Sequence, residues 1–394
     1  CTLTLKNTYA NGAVTGTNTS GQVGGLVGGI YGYAYIYGSN YSGAGVSSLG
    51  PNVGGLLGEN IYYDTTIYNS YVNSSGATGV QGTYYVGGMV GRSGSSLTVQ
   101  SNGTNVSAYG TALSPYSNAK VTGTAATSGP NAYVGGIVGY VNAYSTVSNV
   151  SVTGSSISGV GSYVGGVVGG TTTIGYTESF TNITVNVPTI TGTGSYVGGI
   201  IGYGPYVDIT NASVTTAISS TGTAANKRFF GGLIGDASAR AIISNSYATG
   251  NISVSGSGTG TAFVGGLVGR MGSSGGTVGN SIQNAYYDGL ITTDANPANF
   301  GGLVGYMTPN TWVSNSYYDM TNSTINGNAV LTVGAMYASQ YDAWSKQGGA
   351  SAVVTPSGRS PLSIANSLLT QDGSGAYLIT SAADLDKLLP YTQS

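Results

Sequence analysis

The chain is 394 residues long, with 69 Gly, 32 Tyr and no His, and its 10 Lys and Arg against 12 Asp and Glu give a net charge of −2. At 6% charged and 40% hydrophobic residues, it is too apolar for a disordered tail and too poor in charge for an ordinary cytosolic domain. The basic residues are scattered from Lys6 to Lys387, so there is no stripe for a nucleic-acid backbone, and no uninterrupted apolar run reaches the ~18 residues of a membrane span. A basic start followed by an apolar run, the mark of a signal peptide, is also missing from the sequence.

The chain opens on Cys1, its one cysteine. A single thiol excludes an internal disulfide framework; three readings stand, a lipid-acylated cysteine as in a processed bacterial lipoprotein, a disulfide to another subunit, or a fragment boundary. Leu3 to Ala10 already reads as repeat material, with Leu3 and Leu5 in strand alternation and no amphipathic cap ahead of them. An uncapped first coil is an open sheet edge.

A hexapeptide, apolar-Gly-Gly-apolar-apolar-Gly, then recurs nine times, from Val23, Val53, Val86, Val134, Val164, Val197, Phe230, Val264 and Phe300. Seven steps are 30–36 residues and one is 48, whose excess reads as an inserted loop over about 112–129 around Pro115. Exchange at Ser117 in that loop is expected to be tolerated, whereas a charge at Val167 is not. Between hexapeptides lie short runs of Val, Ile, Thr and Tyr bounded by Gly, Ser and Asn, which predict three short strands per repeat and no helix. The fold class is therefore all-β: a parallel β-helix of about 9–11 coils over residues 1–320, each strand pairing with its equivalent one coil away. The paired glycines are read as sites of tight turning or of close packing between coils. Tyr85, Tyr133, Tyr163, Tyr196, Phe229 and Phe263 precede the hexapeptide and are expected to stack into a structural ladder.

A second register carries Asn69, Asn105, Asn149, Asn182, Asn211, Asn245, Asn284 and Asn315, expected to hydrogen-bond along the axis as stacked amides do. If these side chains point inward, those in Asn-X-Ser/Thr sequons cannot carry glycan. The candidate glycosylation sites are then Asn18, Asn73, Asn102, Asn251 and Asn322, off the register.

The hexapeptides, with segments such as Ser244-Asn245-Ser246-Tyr247-Ala248-Thr249-Gly250, resemble the GLUG repeats of bacterial surface proteins. The sequence from Asn315, with Ala335-Met336-Tyr337 and Tyr341-Asp342-Ala343-Trp344, is similar to the closing coil of large adhesins. The resemblance implies an extracellular or cell-surface solenoid. Tyr377 to Leu389 resembles the strand and short helix that usually open such a solenoid, yet here it lies in the closing segment, 321–394. Only Ala382 to Leu389 has helix-favouring composition.

Without histidine, Ser-His and Cys-His nucleophile pairs and His-ligated metals are excluded. The carboxylates are dispersed, and Asp64, Asp288 and Asp319 in Tyr-Tyr-Asp contexts read as turn residues. The reading is therefore of a non-enzyme that calls for no metal or cofactor. Its expected function is that of a structural subunit of an extracellular filament, assembling with itself head to tail through Leu3, Leu5, Tyr377, Leu378, Ile379, Leu385, Leu388 and Leu389. The alternative is a monomeric adhesin or stalk that meets glycans or a host surface through tyrosines such as Tyr31, Tyr33, Tyr35, Tyr37 and Tyr41.

Overall fold

A computed structural model describes residues 1–341 except 75, 102–114, 125–131, 161–162, 172–174, 195, 223–226, 257–260, 273–278, 297–298 and 309–310. One coil shows the plan. Tyr133–Gly135, Val138–Val141, Ser145–Val152 and Ile157–Gly159 are its strands, and each pairs in parallel with its equivalent in the next coil. These four positions build sheets 1 to 4 in that order. Sheets 1, 2 and 4 each stack nine strands, so eight full turns separate the first from the ninth, and sheet 3 is continuous from Thr2–Lys6 to Ala335–Met336. The architecture is the parallel β-solenoid read from the repeats.

Each coil runs through four sheets rather than the three strands read from the sequence, because the hexapeptide itself contributes to two. In Val134 to Gly139 the strand Tyr133–Gly135 ends at a bend over Gly136 and Ile137, and Val138 starts the next sheet. The apolar first, fourth and fifth positions turn inward: Val86, Met89 and Val90, like Val164, Val167 and Val168, have essentially no exposed surface. Each such side chain contributes about 1.5–3 kcal/mol by leaving water.

The glycines of the motif serve close approach rather than turning, since none of them has a positive φ. A Cβ at Gly139 would lie 2.5 Å from the Val86 nitrogen and 2.7 Å from the Gly91 oxygen, both in the preceding coil. One at Gly202 would lie 2.6 Å from the Gly169 oxygen and 2.8 Å from the Val164 nitrogen. Sheets 1 and 2 therefore meet backbone to backbone, with no side chain between them. Across coils the Ile137 oxygen accepts from both Met89 N at 2.8 Å and Val90 N at 2.9 Å, and Val167 O accepts from Ile137 N and Val138 N at 3.0 Å each. The bend is thus bonded along the axis like the strands that flank it.

Part of the stretch read as an inserted loop is regular. Tyr116–Ser117 pairs with Tyr71–Val72 and Ser151–Val152, and Val121–Gly123 pairs with Val80–Gly82 and Ile157–Gly159. Ser117 is fully buried against the stack, so the tolerance expected there is withdrawn; the extra length of this repeat falls instead in residues 102–114 and 125–131, outside those described. The helix predicted at 382–389 also lies outside the described residues. At the far end residues 320–341 lie across the last coil. Ile325 bridges to Ile291, the Thr332 hydroxyl oxygen accepts from Gly302 N at 2.9 Å, and Ala335–Met336 pairs with Tyr318 and Asp319.

Gly139→Ala, forced against fixed backbone, is expected to destabilise the fold by on the order of 2–3 kcal/mol. Gly12→Ala, where a Cβ meets nothing within 4 Å, should leave the melting temperature unchanged. Thermal unfolding followed by circular dichroism makes the comparison, and equal shifts would contradict the close-approach reading.

Candidate assembly and recognition surfaces

Outside the seam between sheets 1 and 2 stand two adjoining columns of side chains. The residue before each hexapeptide forms the predicted aromatic ladder: Tyr85 to Tyr133, Tyr133 to Tyr163, Tyr163 to Tyr196, Tyr196 to Phe229 and Phe229 to Phe263 have ring centroids 4.3–5.5 Å apart with planes within 26° of parallel. The residue after the hexapeptide forms a second column, with Tyr140 edge-on to Tyr133 and Tyr203 edge-on to Tyr196. Tyr133 is only 7% exposed and Phe229 1%, and Tyr85, Tyr163 and Tyr196 are half-buried, so the rings cover the outer seam. Burial pushes the Tyr196 phenol up to about 12.

Charges in the second column pair one coil apart. Arg92 donates to Glu59, whose other oxygen accepts from Gln22 Nε2 at 3.0 Å and Asn52 Nδ2 at 2.5 Å. Arg270 places Nε and Nη2 on the two oxygens of Asp236 at 2.7 and 2.5 Å, with its guanidinium 4.3 Å from the Phe229 ring centroid. On sheet 3, Arg240 Nη2 donates to Asp208 at 2.7 Å. The sequence reading took most carboxylates as isolated, but the signal was present: these pairs are separated by 33, 34 and 32 residues, one repeat each. Burial pushes the Asp236 carboxyl up to about 6, a rise that Arg270 limits.

The asparagine register forms a ladder on the outside of sheet 3. Asn149, Asn182, Asn211, Asn245, Asn284 and Asn315 have φ between 46° and 55°, the left-handed region that asparagine tolerates better than other non-glycine residues. They bend the strand at one place in successive coils. Asn182 Nδ2 donates to Asn149 Oδ1 at 2.8 Å, Asn211 to Asn182 at 3.1 Å, Asn284 to Asn245 at 3.1 Å and Asn315 to Asn284 at 2.6 Å. Asn7 and Gly38, with φ of 50° and 54°, complete the column at its start; glycine stands in because the requirement is on the backbone. In the fourth coil the pairing of Gln100 with Ser148 brings Ser101, not Asn105, to this place; Asn105 lies outside the described residues.

The inward orientation weighed for these amides is corrected: Asn149, Asn182 and Asn211 are exposed. What restrains glycosylation of Asn182 and Asn211 is that their amide nitrogens are engaged along the axis. Of the off-register sequons, Asn18, Asn73, Asn251 and Asn322 are exposed, with Asn322 Nδ2 donating to Asp319 Oδ2 at 2.6 Å and Asn73 Oδ1 accepting from Asn118 Nδ2 at 2.8 Å. Asn102 lies outside the described residues. The serine that follows Asn69, Asn245 and Asn315 also has a task the sequence reading missed: Ser70, Ser246 and Ser316 accept from the Ser39, Ala212 and Ala285 amides of the coil before, at 3.0–3.1 Å, beside the bend.

The first coil differs from all the others. Thr2–Lys6, Val14–Gly16, Gln22–Gly24 and Val27–Ile30 each have a strand partner on one side only. Leu3, Leu5, Val14, Val23, Leu26 and Val27 are partly exposed, whereas Ile36, Val46, Val53, Leu56 and Leu57 one coil on are completely buried. Cys1 is an exposed free thiol whose Sγ donates to Tyr31 O at 3.0 Å. Tyr377, Leu378, Ile379, Leu385, Leu388 and Leu389 lie outside the described residues. Beside the open coil Tyr31 meets Tyr62, Tyr33 meets Tyr63 and Tyr37 meets Tyr68, at 6.0, 5.0 and 5.4 Å. Tyr31 and Tyr62 are about two-thirds exposed at 65% and 68%. Tyr41 is not among these surface rings; it is buried, its hydroxyl within hydrogen-bond distance of Gly12 O and Gly45 O at 2.8 and 2.7 Å.

Among the described residues no three His, Cys, Asp or Glu side chains gather as metal ligands. Asp319 accepts from Thr321 N at 2.9 Å and Asp64 from Ser96 N at 3.2 Å, which are backbone-holding roles. A family model of the GLUG motif matches residues 130–158, the coil used above to describe the plan. The chain is a β-solenoid that carries the GLUG motif. No curated protein and no solved structure matches the chain, so the reading of its surfaces rests on its own geometry.

One buried acid yields a pH test. Glu178 is fully buried, and its Oε2 accepts from both Ser145 N and Ser145 Oγ while Oε1 has no partner. Desolvation pushes its carboxyl up to about 8, against the bonds from Ser145. A raised acid pKa means the fold holds a proton the unfolded chain releases, so the contribution is complete below about 4.5 and is lost as pH rises toward 8. Stability should fall between pH 5 and 8, and Glu178→Gln, which keeps the bonds without a charge, should flatten that fall; parallel denaturation profiles for the two proteins would contradict it.

Proposed function

We propose that this solenoid is a non-catalytic structural subunit of an extracellular filament or surface appendage that stacks end to end. The observation that carries the reading is the first coil, where the edges of all four sheets and a half-covered apolar interior face outward together. An open edge is a template for further strands, and a contact between unlike ends of one subunit repeats into a fibre. The chemistry of the chain agrees with a non-catalytic part: it has no histidine, and Glu59, Asp208 and Asp236 are committed to arginines. The exposed Cys1 thiol beside the open coil suits a disulfide to the next subunit.

A second reading, a monomeric adhesin that meets a glycan or host surface, draws on the exposed tyrosines Tyr31, Tyr33, Tyr62 and Tyr63, whose rings offer broad amphipathic contact. The two separate by assembly state. Electron microscopy of the purified full chain should show long fibres. Leu5→Lys, which sets a charge in the open interior, should leave folded single rods, and deletion of residues 375–394 should likewise abolish long fibres. An intact chain that sedimentation finds monomeric at high concentration contradicts the filament and leaves the adhesin.

A further inference from the structure

Sheet 1 carries one charged side chain inside its stack. Arg228 opens the strand Arg228–Gly231, pairs in register with Ala262 one coil on, and has no exposed side-chain surface. Its guanidinium is half used. Nη1 donates to Gly222 O at 2.6 Å and Ser255 O at 3.4 Å, while Nε and Nη2 have no hydrogen-bond partner among the described residues. A carboxylate oxygen, Asp294 Oδ1, stands 3.9 Å from Nη2, beyond hydrogen-bond reach. Burial lowers the pKa of Arg228, yet a guanidinium keeps its proton in a protein. Buried charged donors left unpaired are costly and uncommon, so this empty edge calls for a ligand.

The surroundings indicate which. Arg228 lines a half-open cleft of about 210 Å³ together with Thr261, Asp294, Asn296 and Asn299. Within the same protein Arg270 shows what the Nε and Nη2 edge accepts, since it holds both oxygens of the Asp236 carboxylate. That planar fork matches a carboxylate in two parallel bonds. Among the described residues the rest of the wall is hydroxyl, amide and carboxylate with Ala262 and Ala295, hydrogen-bonding groups for a ligand rich in hydroxyls and no aromatic or large aliphatic side chain to seat a peptide.

We infer that the cleft at Arg228 binds an acidic sugar, a uronate, whose carboxylate takes the Nε and Nη2 edge of Arg228 while Thr261, Asn296 and Asn299 meet its ring hydroxyls. Asp294, on the rim with a third of its side chain exposed (32%), turns to accept a hydroxyl and gives up its place near the guanidinium. The site lies in the seventh coil counted from the open end and is independent of assembly.

Calorimetric titration of the full chain tests this with three probes: digalacturonate, the uncharged galactose disaccharide of the same linkage, and acetate. Digalacturonate should bind about tenfold or more tighter than acetate, and the neutral disaccharide about tenfold or more weaker than digalacturonate. Arg228→Lys keeps a charge but loses the fork and should weaken digalacturonate by about ten- to a hundredfold. Asp294→Asn removes the competing carboxylate and should bind as tightly as the parent or more tightly. Asn299→Ala, on the wall, should weaken binding about threefold or more and serves if Arg228→Lys does not fold, as judged by circular dichroism. Absence of digalacturonate binding at millimolar concentration overturns the site. Equal affinity for acetate overturns the sugar assignment, and loss of binding in a folded Asp294→Asn assigns Asp294 as a structural partner and overturns the geometry.

Discussion

Everything in this solenoid depends on two sheets approaching so closely that no Cβ fits between them. Backbone packed on backbone at Gly139, Gly91 and Gly169 leaves no volume for a methyl group, and that contact bends the chain at each hexapeptide. Because the bend is itself hydrogen-bonded from coil to coil, the axial repeat is set there and inherited by the other sheets. The apolar first, fourth and fifth positions then converge on one continuous core, the arrangement that lets coils too small to fold alone stabilise one another.

From that spacing follow the surface columns. Residues one repeat apart come into register, so tyrosines stack, asparagines pass hydrogen bonds along the axis, and acids find arginines one coil on. Each column extends a condition on one coil to its neighbours. Asn149, Asn182 and Asn211 share a positive φ and link their amides, so the backbone strain of the bend is offset by bonds that only a stack supplies. Arg228 and Glu178 are the exceptions: both are buried ionisable groups with polar atoms left without partners. The fold carries such groups at a cost in stability, which makes them the places to look for linkage to ligand or pH.

Much of this was legible in the sequence, because a repeat converts three-dimensional register into arithmetic. The parallel coils, the inward apolar positions and the aromatic ladder all follow from spacings near 33 residues. What escaped was whatever spacing leaves degenerate. The hexapeptide does not announce that it holds two strands, since a bend made by close packing lacks the positive φ that marks a glycine turn. Ser/Thr/Gly-rich sequence near Pro115 read as loop, although Tyr116–Ser117 and Val121–Gly123 continue the sheets. The ion pairs Glu59 with Arg92 and Asp236 with Arg270 were within reach of the same arithmetic. The cleft at Arg228 was not, because nothing local distinguishes an arginine with a satisfied head group from one without.

Hydrogen exchange at the fourth and fifth positions of the hexapeptides tests the central claim most directly. If the bend is bonded and close-packed as described, the amides of Met89, Val90, Ile137, Val138, Ile200 and Ile201 exchange only through global unfolding, as slowly as those of sheet 3. Exchange at loop-like rates there, while sheet 3 stays protected, would show that the hexapeptide is an ordinary turn and that the coil is organised elsewhere.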